Sequence, residues 1–173
     1  MAKIELLVPK ILKWEGGFVN HPNDKGGATN KGITIATFTS YRKLKGLPQP
    51  SVDDLKNISN EEWMDILKTL YWDRWKADQI NNQSIANFLV DWVWASGVYG
   101  IKYPQQVLGV VVDGIVGSRT LTAVNEYPDQ KELFQKLWDR RKQHFENIVQ
   151  RDPSQKVFLK GWMNRLNDYK FEV

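Results

Sequence analysis

Three residues near the start of the chain, Glu15, Asp24 and Thr29, have side chains that can give up a proton or hold a water molecule. Eight residues separate Glu15 from Asp24, and four separate Asp24 from Thr29. Two carboxyl groups facing each other across a cleft can cleave a glycosidic bond, because one protonates the leaving oxygen while the other activates water or stabilises the cation. Each motif alone is also typical of a helix end or a turn. Together they predict glycoside hydrolysis.

A helix must hold the first of these residues. Apolar residues precede it at the spacing of a helix with one buried face, namely Ile4, Leu7, Val8, Ile11 and Leu12. Pro9 either kinks this helix or delays its start, and Gly16 and Gly17 end it. Glu15 therefore lies at the C-terminal end, where the helix dipole disfavours an ionised carboxylate. Such a position suits a group that donates a proton.

A short, irregular β-hairpin is predicted after the glycines. Val19 and Ile33 are β-branched residues on either side of a segment rich in Asn, Pro, Asp and Gly, which is typical of turns. This hairpin would hold Asp24 and Thr29 opposite the helix end that holds Glu15.

The spacing of the three residues is similar to the catalytic spacing of phage-type lysozymes, which have one more residue before the Thr. The longer string formed by residues 15–20 and 24–34 resembles glycoside hydrolase family 108, whose members include phage endolysin-like and secretion activator proteins. The resemblance implies an N-acetylmuramidase that cleaves the β-1,4 bond between N-acetylmuramic acid and N-acetylglucosamine. It implies that Glu15 is the catalytic acid, that Asp24 orients water or stabilises the transition state, and that Thr29 holds the water. No cofactor is implied.

Other segments of the chain resemble the same family. Residues 71–75 are similar to a recurring segment, and residues 88–97 are similar to a central helix, although Ala95 stands where an Asn is expected. We therefore treat Thr34, Trp72 and Asp91 as candidate substrate-binding residues. The alternatives are core packing for Trp72 and a buried bond to Arg or a backbone N–H for Asp91.

The second half of the chain contains the string Asp-Gly-x-x-Gly-x-x-Thr, which begins at Asp113. Asp113 and Gly114 predict a tight turn, and the string resembles peptidoglycan-binding modules. A turn between two helices of the same core is the alternative interpretation. We expect a catalytic region at residues 1–96 and a peptidoglycan-domain-like helical region at 97–173, packed together as one compact body.

Hydrophobic periodicity predicts a mainly α, lysozyme-like fold with roughly seven or eight helices and a small β-hairpin after the first helix. Five polar residues are predicted to cap helix N-termini, and these are Thr34, Ser59, Ser84, Ser118 and Ser154. The last helix is predicted to bury Val157, Phe158, Trp162, Leu166 and Tyr169.

Composition limits the classes of function. The chain has 173 residues, a formal charge of +4, no Cys and two His, so a cysteine nucleophile is excluded and a His-based metal site is not expected. No basic run interleaved with aromatics points to nucleic acid. No apolar run is long enough for a signal peptide or a membrane span. We expect a monomer made in the cytoplasm without a cleavable signal, which acts on peptidoglycan at the cell wall or in the periplasm after release or export.

Two other functions fit the same residues. One is a non-catalytic wall-binding or secretion-assisting protein, which would have no need of an acid at a helix end. The other is a hydrolase of chitin or chitosan, since nothing in the residues separates N-acetylmuramic acid from N-acetylglucosamine at the cleaved subsite. A retaining and an inverting mechanism are both open, because they differ in the separation of the carboxyl groups.

Overall fold

A computed structural model describes residues 1–20 and 27–172, which form two compact units. We call Glu5–Trp72 the hairpin unit, and Asp73–Val173 together with Met1–Ile4 the helical unit. The described residues contain nine α-helices and one two-stranded antiparallel sheet. The predicted mainly α fold with a small hairpin after the first helix is confirmed. The predicted regions 1–96 and 97–173 and their packing as one body stay predictions.

The hairpin unit has four α-helices around the small sheet. After a 3₁₀ turn at Ile4–Leu6, the elements are α1 (Val8–Trp14), β1 (Thr29–Asn30), β2 (Ile33–Thr34), α2 (Ile35–Leu44), α3 (Val52–Lys56) and α4 (Asn60–Leu67). A π-helical segment, Lys68–Trp72, continues α4. α1 begins late rather than kinking, because Pro9 falls in its first turn, where no backbone donor is needed.

Two polar contacts tie α2 to α4. The Arg42 guanidinium donates to both carboxylate oxygens of Glu62, at 3.1 Å each. The Tyr41 hydroxyl donates to Asp65. Burial and the nearby Asp65 carboxylate raise the pKa of Tyr41, and the hydrogen bond from Tyr41 holds the pKa of Asp65 below its usual range. These carboxylates are already engaged in holding the helices together.

The helical unit has five α-helices. They are α5 (Gln83–Ser96), α6 (Tyr99–Leu108), α7 (Ser118–Asn125), α8 (Gln130–Arg151) and α9 (Lys156–Asp168), with 3₁₀ turns at Ala77–Gln79 and Pro153–Gln155. None of the helices in residues 1–20 and 27–172 is long and apolar enough to cross a membrane.

α6 was not among the predicted helices, and Pro104 lies inside it. A proline cannot donate to the carbonyl four residues earlier, which here belongs to Gly100. The Trp75 indole Nε1 donates to that carbonyl instead, at 3.1 Å. Gly100 also permits a close approach to α5, since a Cβ there would lie 2.4 Å from the Val93 backbone nitrogen.

The predicted turn at Asp113 and Gly114 is confirmed, and Gly114 has a φ of 74°. The Gln105 side chain, which is fully buried, holds this turn against α6. Its Oε1 accepts from the backbone N–H groups of Asp113 and Gly114 at 3.1 and 2.9 Å, and its Nε2 donates to Thr120 Oγ1 at 3.3 Å. One amide thus connects α6, the turn and α7.

Two of the five predicted caps are confirmed. Thr34 accepts from the backbone of α2, and Ser59 accepts from the backbone of α4. The predictions for Ser84 and Ser118 are wrong, because Asn82 caps α5 two residues earlier and Ser118 is the first residue of α7. The prediction for Ser154 is also wrong, because this residue lies in the 3₁₀ turn that precedes α9. Ser84 is instead buried, and its hydroxyl accepts from the backbone of Glu172.

The last helix is less buried than predicted. Val157 and Phe158 are 77% and 52% exposed, so they do not complete the core. Trp162 is half-buried, and its ring packs on Phe145 at a centroid distance of 5.3 Å. Leu166 is the fully buried residue of α9.

Candidate active site

Glu15 is the residue that directly follows α1, as predicted. Its backbone is extended, with φ −96° and ψ 136°, and its N–H donates to the Leu12 carbonyl at the helix end. The residue is half-buried. The carboxyl group therefore lies at a helix C-terminus with access to solvent, as a group that transfers a proton to a ligand requires.

Gly16 and Gly17, which follow Glu15, are exposed. A Cβ built on either would meet no described atom within 4 Å. Steric packing against the described residues therefore does not require glycine at these positions. The chain directly after Glu15 thus has two consecutive exposed positions without side chains.

Backbone hydrogen bonds connect this segment to the hairpin. The Lys31 N–H donates to the Gly16 carbonyl at 3.0 Å, and Val19 and Thr29 exchange N–H to C=O bonds at 2.8 Å each. The segment after Glu15 thus pairs with β1 through an isolated antiparallel bridge between Val19 and Thr29. Thr29 and Glu15 are consequently held on neighbouring, connected pieces of backbone.

The hairpin is also fixed from the helices beneath it. β1 and β2 are joined by Lys31 and Gly32, whose φ angles of 50° and 82° are both positive. This is the two-residue turn that suits the twist of a hairpin. The Trp63 indole donates to the Lys31 carbonyl at 3.0 Å, so α4 holds the tip.

Asn30 is a positioning residue that the sequence analysis missed. It is 5% exposed, and its Nδ2 donates to the carbonyls of Leu55 and Lys56 at 2.9 and 3.2 Å, at the end of α3. A polar side chain in the strand directly before a Lys-Gly turn was the available signal. Its partners are 25 residues away in sequence, so the pairing itself was not predictable.

The remaining predicted catalytic residues are less fully described. Asp24 lies outside the described residues, so its role and its separation from Glu15 stay predictions. Thr29 is half-buried on β1. Thr34 uses its Oγ1 to cap α2, where it accepts from the Thr37 N–H at 3.1 Å, and its predicted contact with substrate stays a prediction.

Two predicted substrate-binding residues have structural positions. Trp72, at the end of the π-helical segment, is 0% exposed, which agrees with the core-packing alternative and not with a surface contact. Asp91, in α5, is also 0% exposed, and its carboxylate pairs with Arg141 at 2.9 Å and Arg165 at 2.6 Å. The structural interpretation of Asp91 therefore replaces the substrate-binding one, since the pairing occupies a carboxylate with no access to solvent.

Two aromatic residues flank the Glu-Gly-Gly segment and were not singled out from the sequence. Trp14 and Phe18 are both half-buried. The Lys13 and Lys56 ammonium groups lie 5.2 and 5.8 Å from the centroids of the Trp14 and Phe18 rings, respectively. Partly exposed ring faces beside a carboxyl group suit contact with the apolar faces of sugars.

No group of three or more His, Asp or Glu side chains in the described ranges is placed to hold a metal ion. The described geometry of the hairpin unit offers a half-buried carboxyl group directly after a helix, glycine backbone beside it in the chain, and a braced hairpin.

A family model described as "Glycosyl hydrolase 108" matches residues 8–97. The chain belongs to this glycosyl hydrolase family. A second model, described as "Predicted Peptidoglycan domain", matches residues 99–167. The match to glycosyl hydrolase 108 confirms the family predicted from residues 15–34.

Among solved structures, the chain is similar to one titled "Structure of Brucella abortus SagA". The TM-score is 0.79 at 29% sequence identity, over 95% of this chain and 90% of that chain. No curated protein matches the chain. Family and structural likeness together support a role as a peptidoglycan-related hydrolase or binding protein.

Proposed function

We propose that this glycosyl hydrolase 108 protein is an N-acetylmuramidase, which hydrolyses the β-1,4 bond between N-acetylmuramic acid and N-acetylglucosamine. The observation that carries the proposal is the position of Glu15, half-buried at the end of α1 beside two exposed glycines. A purely structural surface residue has no need of that combination. The match of residues 99–167 to a peptidoglycan domain supports peptidoglycan as the substrate.

In the proposed reaction Glu15 donates its proton to the glycosidic oxygen as the bond to the anomeric carbon breaks. The sugar then carries positive charge at that carbon. A water molecule adds there and releases its surplus proton to solvent, from which the Glu15 carboxylate is reprotonated. Asp24 orients this water or stabilises the charge, and Thr29 holds the water. The glycine backbone accommodates the sugar chain, while Trp14 and Phe18 offer ring faces to the pyranose units.

The test of the acid is Glu15→Gln, which keeps the size of the side chain and removes its transferable proton. Release of soluble muropeptides should fall by about 10²–10⁴-fold, the usual contribution of general acid–base catalysis. Binding to insoluble peptidoglycan should persist, and folding should not suffer because a neutral amide is acceptable at a helix C-terminus. The matched control is Glu61→Gln, at an exposed position in the first turn of α4.

The outcomes separate the candidate functions. Unchanged lysis by the Glu15→Gln variant would refute the acid assignment. A wild-type protein that binds peptidoglycan without releasing products would favour the second candidate, a non-catalytic wall-binding or secretion-assisting protein. Mass spectrometry of the products identifies the sugar at the new reducing end, and a parallel assay on chitin tests the third possibility.

Asp24 is proposed to contribute less than Glu15. Asp24→Asn should lower the rate of muropeptide release by a smaller factor than Glu15→Gln, because water or a neighbouring group can partly replace the lost carboxylate. If the Asp24 variant is the more damaged of the two, the two roles are reversed. The proposed place of action is the cell wall, after release or export of the protein.

A further inference from the structure

The helical unit contains a cavity that the reaction above does not use. It has a volume of about 500 Å³ and lies where the end of α5 and the start of α6 meet α8 and α9. Cavities of this size commonly bind small ligands. Its lining includes Tyr99, Arg141, His144, Phe145, Trp162 and Arg165.

Arg141 is the unusual member of this lining. Its side chain is 1% exposed, and one terminal nitrogen, Nη2, pairs with Asp91 at 2.9 Å. Its Nε and Nη1 atoms are buried and have no hydrogen-bond partner in the described part of the chain. A buried donor left unsatisfied costs about 1–3 kcal/mol, and more when it is charged. A ligand acceptor in the cavity would satisfy such donors.

The surroundings of Arg141 explain how the chain tolerates it. The guanidinium lies 5.4 Å from the ring centroid of Phe88 and 5.8 Å from those of Trp92 and Phe145. These ring faces stabilise a cation but accept no strong hydrogen bond from it. The aromatic rings and one carboxylate thus hold the Arg141 guanidinium in place for a ligand, but they do not satisfy all of its hydrogen-bond donors.

The pKa of His144 indicates a positive electrostatic potential at the same cavity. Burial and the guanidinium groups of Arg140, Arg151 and Arg141 hold its pKa below the usual range, and its Nδ1 is buried with no hydrogen-bond partner within the described ranges. No Asp or Glu is among the residues that line the cavity. The lining therefore combines cations with rings and favours an anionic group attached to a compact, partly apolar body.

We propose that this cavity binds the peptide stem of peptidoglycan through a free carboxylate, which Arg141 and Arg165 receive while Tyr99 and Trp162 contact the stem's apolar atoms. The proposal rests on the proposed function, since it names the part of peptidoglycan that the helical unit recognises. A stem peptide carries carboxylates next to small methyl groups, which matches a lining of guanidinium groups and aromatic rings. A phosphate polymer would instead favour a row of exposed cations, whereas Arg141 is buried.

The experiment is a titration of the full chain with a free tetrapeptide stem. Calorimetry measures the binding, and the side-chain NMR signals of His144 monitor its protonation. The stem contains no glycosidic bond, so binding is measured apart from hydrolysis. Binding of the free acid should raise the pKa of His144, because a carboxylate enters the positive field beside it. The same peptide with its carboxylates converted to amides, and an uncharged chitin oligosaccharide, should not produce the shift.

Variants locate the site. Arg141→Met should weaken stem binding at least tenfold, because truncating one partner of a buried charge pair is costly. The neighbouring exposed residue supplies the matched control, Lys142→Met, which should bind as wild type. Tyr99→Ala changes a ring that is 50% exposed, so it should fold even if the Arg141 variant does not, and it should weaken binding several-fold.

Stem binding that is unaffected by Arg141→Met and Tyr99→Ala would overturn the proposal. So would a His144 response to inorganic phosphate with none to the stem, which would indicate a general anion site. Muropeptide release by wild type without any stem binding would refute this inference alone and leave the proposed hydrolase intact.

Discussion

Asp91→Asn is the sharpest test of the buried charges in the helical unit. The Asp91 carboxylate accepts from Arg165 Nη2 and Nε at 2.6 and 3.2 Å and pairs with Arg141 Nη2 at 2.9 Å. Asn keeps the volume but removes the negative charge, and its amide group places donors against guanidinium donors. Removing one partner of a buried ion pair typically costs about 3–5 kcal/mol of unfolding free energy, because it leaves uncompensated buried charge.

That loss is large beside the roughly 5–15 kcal/mol by which domains are stable. For a chain of this size it corresponds to a fall in Tm of about 6–20 °C, measured by calorimetry or circular dichroism. Asp139→Asn is the matched control, because Asp139 is exposed on α8 and bonds only to Gln135 among the contacts described for it. Its Tm should be unchanged.

The pH dependence of the free energy of unfolding is a second test of the same ion pairs. Burial alone would raise the pKa of Asp91, but the guanidinium groups of Arg141 and Arg165 outweigh burial and hold the pKa below its usual range. The native pKa is thus lower than the unfolded value of about 3.9. The stabilisation is therefore complete above about pH 4 and is lost as the pH falls toward the native pKa.

The difference in stability between wild type and Asp91→Asn should accordingly narrow below about pH 4. A loss of less than about 1 kcal/mol at neutral pH, where 3–5 is expected for a buried pair, would refute the reasoning. A difference that widens in acid would contradict the stated direction of the pKa shift.

Three further predictions concern packing. Gly100→Ala should lower the free energy of unfolding by about 1–3 kcal/mol, because the added methyl overpacks against the Val93 backbone. Gly161→Ala, where a Cβ would meet no described atom within 4 Å, should raise it by about 0.5–1 kcal/mol. Thermal unfolding measures both changes, and equal effects would contradict the close approach of α6 to α5. Asn30→Ala should lower the free energy of unfolding by about 1–3 kcal/mol, because two α3 carbonyls lose their donor. It should also slow muropeptide release, and full activity would show that the hairpin does not need the Asn30 side chain to hold it in place. Truncation after Ser96 removes the helices against which α5 packs, so the fragment should be insoluble and inactive. A soluble, lytic fragment would disprove the prediction that the later helices complete the core.

Local pattern predicted the parts of the candidate site that depend on neighbours in sequence. The helix before Glu15 and the hairpin that follows arise from hydrophobic periodicity and turn residues, which act over a few positions. The cap at Thr34 is of the same kind. Such features need no knowledge of the rest of the chain.

Burial and partner choice required the tertiary structure. Trp72 and Asp91 resembled substrate contacts in sequence, but their side chains are in the core. The partners of Asp91 are Arg141 and Arg165, and the latter is 74 residues away. No local propensity specifies which charges a buried carboxylate will meet.

α6 shows the same division within one element. The sequence by itself predicted no helix over this segment, which contains Pro104, and a proline removes a backbone donor from a helix. The tertiary structure decided otherwise, because the Trp75 indole supplies the missing donor to the Gly100 carbonyl. The absence of a Cβ at Gly100 lets α6 approach the backbone of α5, where burial stabilises the helix more than intrinsic propensity does.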